Sequence, residues 1–242
     1  MARRRTLDVV GKILFALGLL LGVAFWGSAV WVDIEAFLFD SSLDADAALT
    51  SLRCPVLITT AEVGEIRATV SNSLDWAIRP KLTFHVTDGF VSLMREESEH
   101  LPLAPGEKRE LSWQVTVEDA AWDYFILARV FLPRAYPLPS RTSSCGIVAL
   151  DISFLTGGQL VALVILGSGV LMGLGLYLWS VAYKPLEGRR LQEARALGAL
   201  IALVALGIVF GMLGFWLPGL ACLVVLVLLV VVMLARAAIG ND

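Results

Sequence analysis

Residues 53–58 read RCPVLI and residues 143–150 read SSCGIVAL, so a cysteine stands beside an apolar run at each end of one long segment. Whether Cys54 and Cys145 pair, and on which side of a membrane, decides the architecture. The flanking sequence is of a different kind, almost all hydrocarbon-loving with short charged punctuation. The chain is 57% hydrophobic and 17% charged over 242 residues, with a mean hydropathy of +0.77. A soluble domain carries about 45–50% apolar residues. The composition is that of an integral membrane protein.

Residues 13–32, ILFALGLLLGVAFWGSAVWV, are uncharged. At ~1.5 Å per residue they suffice to cross a hydrocarbon core of roughly 30 Å. A second span is predicted over 157–183, with Tyr177, Trp179 and Tyr183 near its end, where aromatic rings favour the headgroup layer. The uncharged stretch 196–235 is too long for one helix. Pro218–Gly219 is expected to supply a turn, which gives spans 196–216 and 220–235.

The charges are sorted. The N-terminus 1–12, the loop 184–195 and the tail 236–242 hold nine basic and four acidic residues, a net of +5. Residues 33–151 hold ten basic and eighteen acidic ones, a net of −8. The bias of Lys and Arg toward the inner side predicts both termini in the cytoplasm of a multi-pass protein of the cytoplasmic membrane. The acidic juxtamembrane linker 33–52 and the segment 53–151 then lie outside. A rival reading makes residues 1–29 a cleaved signal, with Gly27 and Ala29 at its −3 and −1 positions. The apolar run continues through Val30, Trp31 and Val32, which favours an uncleaved span.

Within 53–151, runs such as EIRATVSN (65–72), KLTFHVT (81–87), ELSWQVTV (110–117) and YFILARVFL (124–132) alternate with period two between turn residues. That pattern indicates an antiparallel β-sandwich. CPVLI opens the first strand and CGIVALDI the last, with Glu96, Glu97 and Glu99 in a charged loop between. An extracytoplasmic compartment permits a Cys54–Cys145 disulfide, worth roughly 4–5 kcal/mol in the chain-entropy model; the alternative is two separate thiols. Cys222 reads as a small buried hydrophobe. The fold class is therefore an integral membrane α-helical protein with four transmembrane helices and an extracytoplasmic all-β, Ig-like sandwich inserted between helices 1 and 2.

The segments ATVSNSLDWAI (68–78) and LPLAPGEKRELSWQVTV (101–117) resemble bacterial immunoglobulin-like modules of the cell-adhesion-related, CARDB-type group. In those a V-x-N strand end precedes a polar turn and L-x-PGE leads into an apolar strand. The resemblance implies a binding or spacing unit without catalytic residues. The order of one span, a disulfide-closed β domain and three further spans is also similar to claudins, although their Trp-Gly-Leu-Trp signature is absent.

Small residues recur at four-residue spacing as Gly18/Gly22, Gly169/Gly173 and Gly207/Gly211. This spacing lets helix backbones approach closely, predicting a compact bundle or a docking face for another helix. The fourth span carries no glycine and is expected to face lipid. No Asp, Glu, Lys, Arg or His lies inside any of the four spans, which argues against ion pathways and proton relays. His85 and His100 read as structural or surface residues. No metal-ligand spacing, phosphate loop or nucleophile elbow is evident, so no enzyme, cofactor, catalytic residue or metal site is expected. The acidic residues Asp33, Glu35, Asp40, Asp44 and Asp46 fit no calcium loop and read as a solvated face. The outer net charge argues against nucleic acid as partner.

Two outer features invite contact. Ile34, Phe37, Leu38 and Leu43 could form a short helix lying at the interface. The loop FLPRAYPLPS, with Pro133, Tyr136, Pro137 and Pro139, is a stiff candidate contact surface. The expected partners are the lipid bilayer and another membrane or envelope protein. The expected role is that of a non-enzymatic accessory or assembly subunit. The alternatives are a homo-oligomeric transport or channel component and a cell-surface adhesion module.

Overall fold

The computed structural model describes residues 2–40, 45–134 and 136–239. It divides into a helical unit, residues 1–30 with 161–242, and a β unit, residues 31–160. In chain order, helix α1 (Ala2–Leu38) is followed by eight strands and then by α2 (Gly157–Ala182), α3 (Gly188–Met212) and α4 (Trp216–Ile239). All four helices are long and apolar enough to cross a membrane.

The helix ends depart from the sequence expectation in three places. The basic loop 184–195 is helical from Gly188 on, because RRLQEARAL consists of good helix formers. Glu193 there meets Arg189 at 3.4 Å and Arg190 at 2.8 Å across one turn. The turn between α3 and α4 falls at residues 213–215, where Gly214 takes φ +71°, and not at Pro218–Gly219. Pro218 instead sits in the first turn of α4, where its missing N–H leaves no helical bond unmade. The fourth helix therefore begins at Trp216 and includes Gly219. Finally, α1 does not stop at residue 32, and 33–52 is only partly a linker.

The strands are β1 (Ala47–Ala48), β2 (Leu57–Thr59), β3 (Gly64–Ser71), β4 (Lys81–Asp88), β5 (Phe90–His100), β6 (Lys108–Val115), β7 (Phe125–Leu132) and β8 (Arg141–Leu150). One sheet has the order β1-β8-β7-β4-β5 with β2 also on β8; β3 and β6 form the other. Ile66, Ala68 and Val70 of β3 and Val115 of β6 meet Leu82, Phe84, Ile126, Val130 and Ile147 of the larger sheet in one apolar core. At its centre the Phe84 ring stacks on Trp113 with centroids 4.6 Å apart. Burial at every second position of β3 matches its period-two sequence.

Cys54 and Cys145 are joined in a disulfide. They are 91 residues apart, the same offset as the pair Leu57 and Val148 in the β2–β8 ladder, so the bridge continues that register. The ladder is parallel, as is β1 with β8, and the sandwich is mixed where an antiparallel one was expected. Period-two alternation carries no strand direction, which is why the sequence could not tell. Cys145 lies in the middle of β8, and Cys54 falls between β1 and β2: β2 begins three residues after it, beyond Pro55, which cannot donate to a ladder.

Two further expectations are corrected. Glu96, Glu97 and Glu99 belong to β5, paired along its length with β4 at the rim of the sheet. Charge on an edge strand deters pairing with another chain, so a carboxylate-rich run here marks a rim strand. The expected separate interfacial helix is the continuation of α1. Val32 and Ala36 of this helix, and Phe39 just after its end, are buried on Leu127 on the outer face of the sheet. Phe37 and Leu38 are exposed, and Leu43 and Asp44 lie outside the described residues. This cover explains why β4 is buried from Leu82 through Thr87 on both faces.

Candidate functional site

Two loops at one end of the β unit are held by polar side chains buried or clamped beneath them. The first joins β3 to β4. Asn72, fully buried, donates from Nδ2 to the carbonyls of Trp76 (2.8 Å), Leu103 (3.2 Å) and Ala104 (3.0 Å), while its Oδ1 accepts from Leu74 N–H. Asn72 N–H donates in turn to Glu107 O at 2.9 Å. Residues 104–107 make a Pro-Gly turn, with Gly106 at φ +71° and Glu107 Oε2 accepting from Ala104 N–H at 2.7 Å. That bond, with Arg109 beside it, holds the Glu107 carboxyl below its ordinary pKa. The two motifs distant in sequence are thus one hydrogen-bonded knot, which presents Trp76 to solvent.

The second loop joins β7 to β8 and carries Pro133, Tyr136, Pro137 and Pro139. Asp46 clamps both of its ends. Its Oδ2 accepts from Arg134 Nη2 at 2.9 Å and from Ser140 Oγ at 2.7 Å and N–H at 3.2 Å. The Ser140 bond, then Arg134, lowers the Asp46 pKa. Tyr136 is 90% exposed and Trp76 50%. Between the two loops lies a shallow depression lined mostly by apolar residues, Val70, Ile78, Pro80, Leu132, Pro133, Leu138 and Pro139, with Ser71 and Arg141 also at its wall. The Asp46 clamp was not legible, since nothing in the sequence brings residue 46 to residue 140.

A second polar cluster fastens the last turns of α1 to the sheet. His85 and Arg129 are cross-strand partners on β4 and β7, both buried. His85 Nδ1 lies 2.6 Å from Asp40 Oδ2 and its Nε2 3.6 Å from Glu96 Oε2. Arg129 Nη2 donates to Phe37 O at 2.8 Å, a cation at a helix C-terminus. Asp33 Oδ1 accepts from Gly146 N–H at 3.2 Å. Three of the acidic residues read as a solvated face are therefore individual fasteners. Among the described residues, no group of three or more His, Cys, Asp and Glu is placed to hold a metal ion.

In the helical unit the candidate packing glycines fall in different places. A Cβ at Gly18 would lie 2.8 Å from Met172 Cγ and Ser168 O, and one at Gly22 2.6 Å from Ser168 Oγ. Ser168 Oγ donates to Gly18 O at 2.8 Å. Gly207 abuts the fully buried Trp26 indole, with Gly211 and Gly219 beside the same side chain. Gly169 and Gly173 meet nothing within 4 Å. The close approach of α2 to α1 is made by Gly175, beside Gly11 and Phe15. Gly175 follows Gly173 by two residues and so lies on a different face of α2, and the four-residue spacing of Gly169 and Gly173 does not say which face meets α1. The single apolar cysteine, Cys222, is a free and partly buried thiol on α4.

No family model and no curated protein matches the chain. Among solved structures, it is similar to a CARDB domain from Pyrococcus furiosus, determined in complex with di-metal ions. The identity is 9% and the TM-score 0.33, over 42% of this chain and 90% of that one. That domain is a module of the kind that the segments around Asn72 and Glu107 resemble. The chain is also similar to β-glucuronidase 2 of Bacteroides uniformis (16% identity, TM-score 0.32, 40% of this chain and 12% of that one). For a β-glucosidase of Listeria innocua the values are 17%, 0.29, 43% and 16%. The chain spans a small part of either glycosidase.

Proposed function

We propose that this is a non-enzymatic multi-pass membrane protein whose β unit binds another membrane or envelope protein, as an accessory or assembly subunit of a complex. The reading puts both termini in the cytoplasm, the helices in the cytoplasmic membrane and the β unit outside, in keeping with the net of +5 on the short flanking pieces and −8 on residues 33–151. The observation that carries it is the pair of clamped loops, which leave Trp76 and Tyr136 exposed and border a mostly apolar depression. Large, rigid aromatic side chains beside a hollow are the usual energetic centre of protein contacts. Pre-clamping by Asn72 and Asp46 reduces the ordering cost of binding.

The test is extraction in mild detergent and copurification on a C-terminal tag. Discrete partners that are retained by the unsubstituted chain and lost by the Trp76→Ala/Tyr136→Ala double variant support the reading. A homo-oligomer that conducts ions in liposomes would replace it with a channel component. An appended reporter that places the β unit in the cytosol would overturn the orientation.

A further inference from the structure

The other end of the β unit has a different character. It is built from the segments 60–63, 88–90, 118–124 and 151–156, which join β2 to β3, join β4 to β5, precede β7 and follow β8. Hydrogen bonds tie these segments together around the start of α2. Trp122 N–H donates to Gly89 O at 3.1 Å, and Ala149 N–H to Tyr124 O at 2.8 Å. Thr59 Oγ1 donates to Leu155 O at 2.6 Å, and Gly157 N–H to Glu62 Oε1 at 2.6 Å. Around this point stand Phe154 (80% exposed), Tyr124 (68%), Val63 (58%) and Trp122 (54%).

Large apolar side chains this exposed on one rim need an occupant, and chain continuity says which. Phe154 lies three residues before Gly157, where a 26-residue helix of membrane-spanning length and hydropathy begins. Two of the four are Trp and Tyr, whose rings have an apolar body and a polar tip and which concentrate in the headgroup layer. The charge of the rim selects the kind of surface. The four segments contain Glu62, Asp88, Glu118, Asp119, Asp123 and Asp151 and no Lys or Arg. Attraction to anionic lipid requires a basic cluster, so the rim suits a zwitterionic headgroup layer entered by aromatic rings.

We propose that Phe154, Val63, Tyr124 and Trp122 form a lipid-facing rim, immersed in the zwitterionic headgroup layer and holding that end of the β unit on the bilayer surface. This rests on the membrane-spanning reading of α2. It assigns the end opposite to the Trp76 and Tyr136 loops, and so leaves those loops free for a protein.

The full-length unsubstituted chain, reconstituted in phosphatidylcholine nanodiscs, tests it by hydroxyl-radical footprinting. Tyr124, Trp122 and Phe154 are expected to oxidise several-fold more slowly than Tyr136 and Trp76, which have comparable exposure in the protein itself. The difference is expected to be the same at low and high ionic strength. Oxidation at Tyr124 and Phe154 as fast as at Tyr136 overturns the proposal. So does protection that appears in native membranes but not in pure lipid discs, because a protein would then be the cover. Alkaline carbonate separates the two levels of failure: a chain that resists extraction yet oxidises at the rim refutes only the headgroup contact, whereas a chain released by carbonate refutes the spanning helices as well.

Discussion

Replacing Cys54 and Cys145 together by alanine tests the account of the β unit most directly. The bridge closes a loop with a sequence separation of 91. The chain-entropy relation for that length gives about 4.6 kcal/mol of destabilisation at 25 °C, exerted through the unfolded state. Both cysteines also touch the core, from partly buried positions, and alanine keeps their Cβ atoms, so the packing loss is small beside the entropic one. Because the effect lies in the unfolded ensemble, it should fall on every amide that exchanges by global unfolding of the β unit, wherever that amide sits. Hydrogen exchange of the full-length chain in detergent, read at Leu82 and Phe84 of β4 and Ile126 and Ala128 of β7, should accelerate by roughly three orders of magnitude. Acceleration confined to β1 and β2, with β4 and β7 changed less than about tenfold, would refute the reasoning and reduce the bridge to a local clip on an edge.

Four further outcomes follow from named contacts. Gly207→Val would drive a side chain into the Trp26 indole and should cost about 1–3 kcal/mol in the thermal stability of the detergent-solubilised chain, whereas Gly173→Val, with open space around it, should be neutral. Asn72→Ala removes donors to three carbonyls and should destabilise the β unit by about 2–3 kcal/mol in urea titration, with increased proteolysis near Trp76. Arg129→Met leaves Phe37 O without that donor and should cost about 2–3 kcal/mol, visible as faster exchange over the last turns of α1. The Asp46 carboxyl should titrate below the ordinary 3.8 by NMR and move back up in Ser140→Ala. Since its folded pKa is depressed, its stabilising contribution is present above the ordinary value and lost as pH falls through the depressed one.

Much of the architecture is written in local chemistry. Four helices of spanning length, six of the strands and the pairing of Cys54 with Cys145 follow from runs of uncharged residues, period-two alternation and redox logic, which depend on near neighbours in the chain. What was not legible depends on tertiary partners. The direction of β1 and β2 is invisible to a periodic pattern. The β5 run looks like a solvated loop because an edge strand wears charge for the same reason a loop does. The extension of α1 past residue 32 was hidden by Asp33, Glu35 and Asp40, which look like a polar linker until Gly146 and His85 are seen opposite two of them. In the candidate site, the Tyr136 loop and the Asn72 and Glu107 motifs stood out, but Trp76 did not, and Asp46 gave no signal, since its role arises only when β1 is laid beside β8.

The carboxylates along β5 bear on how the protein can be crowded. Chains held in a bilayer share one orientation and diffuse in two dimensions, so equivalent rims collide repeatedly in the geometry most favourable to sheet extension. Glu96, Glu97 and Glu99 on this rim would meet their own copies there, and like charges brought face to face repel. Dense lateral arrays can therefore form without seeding polymers.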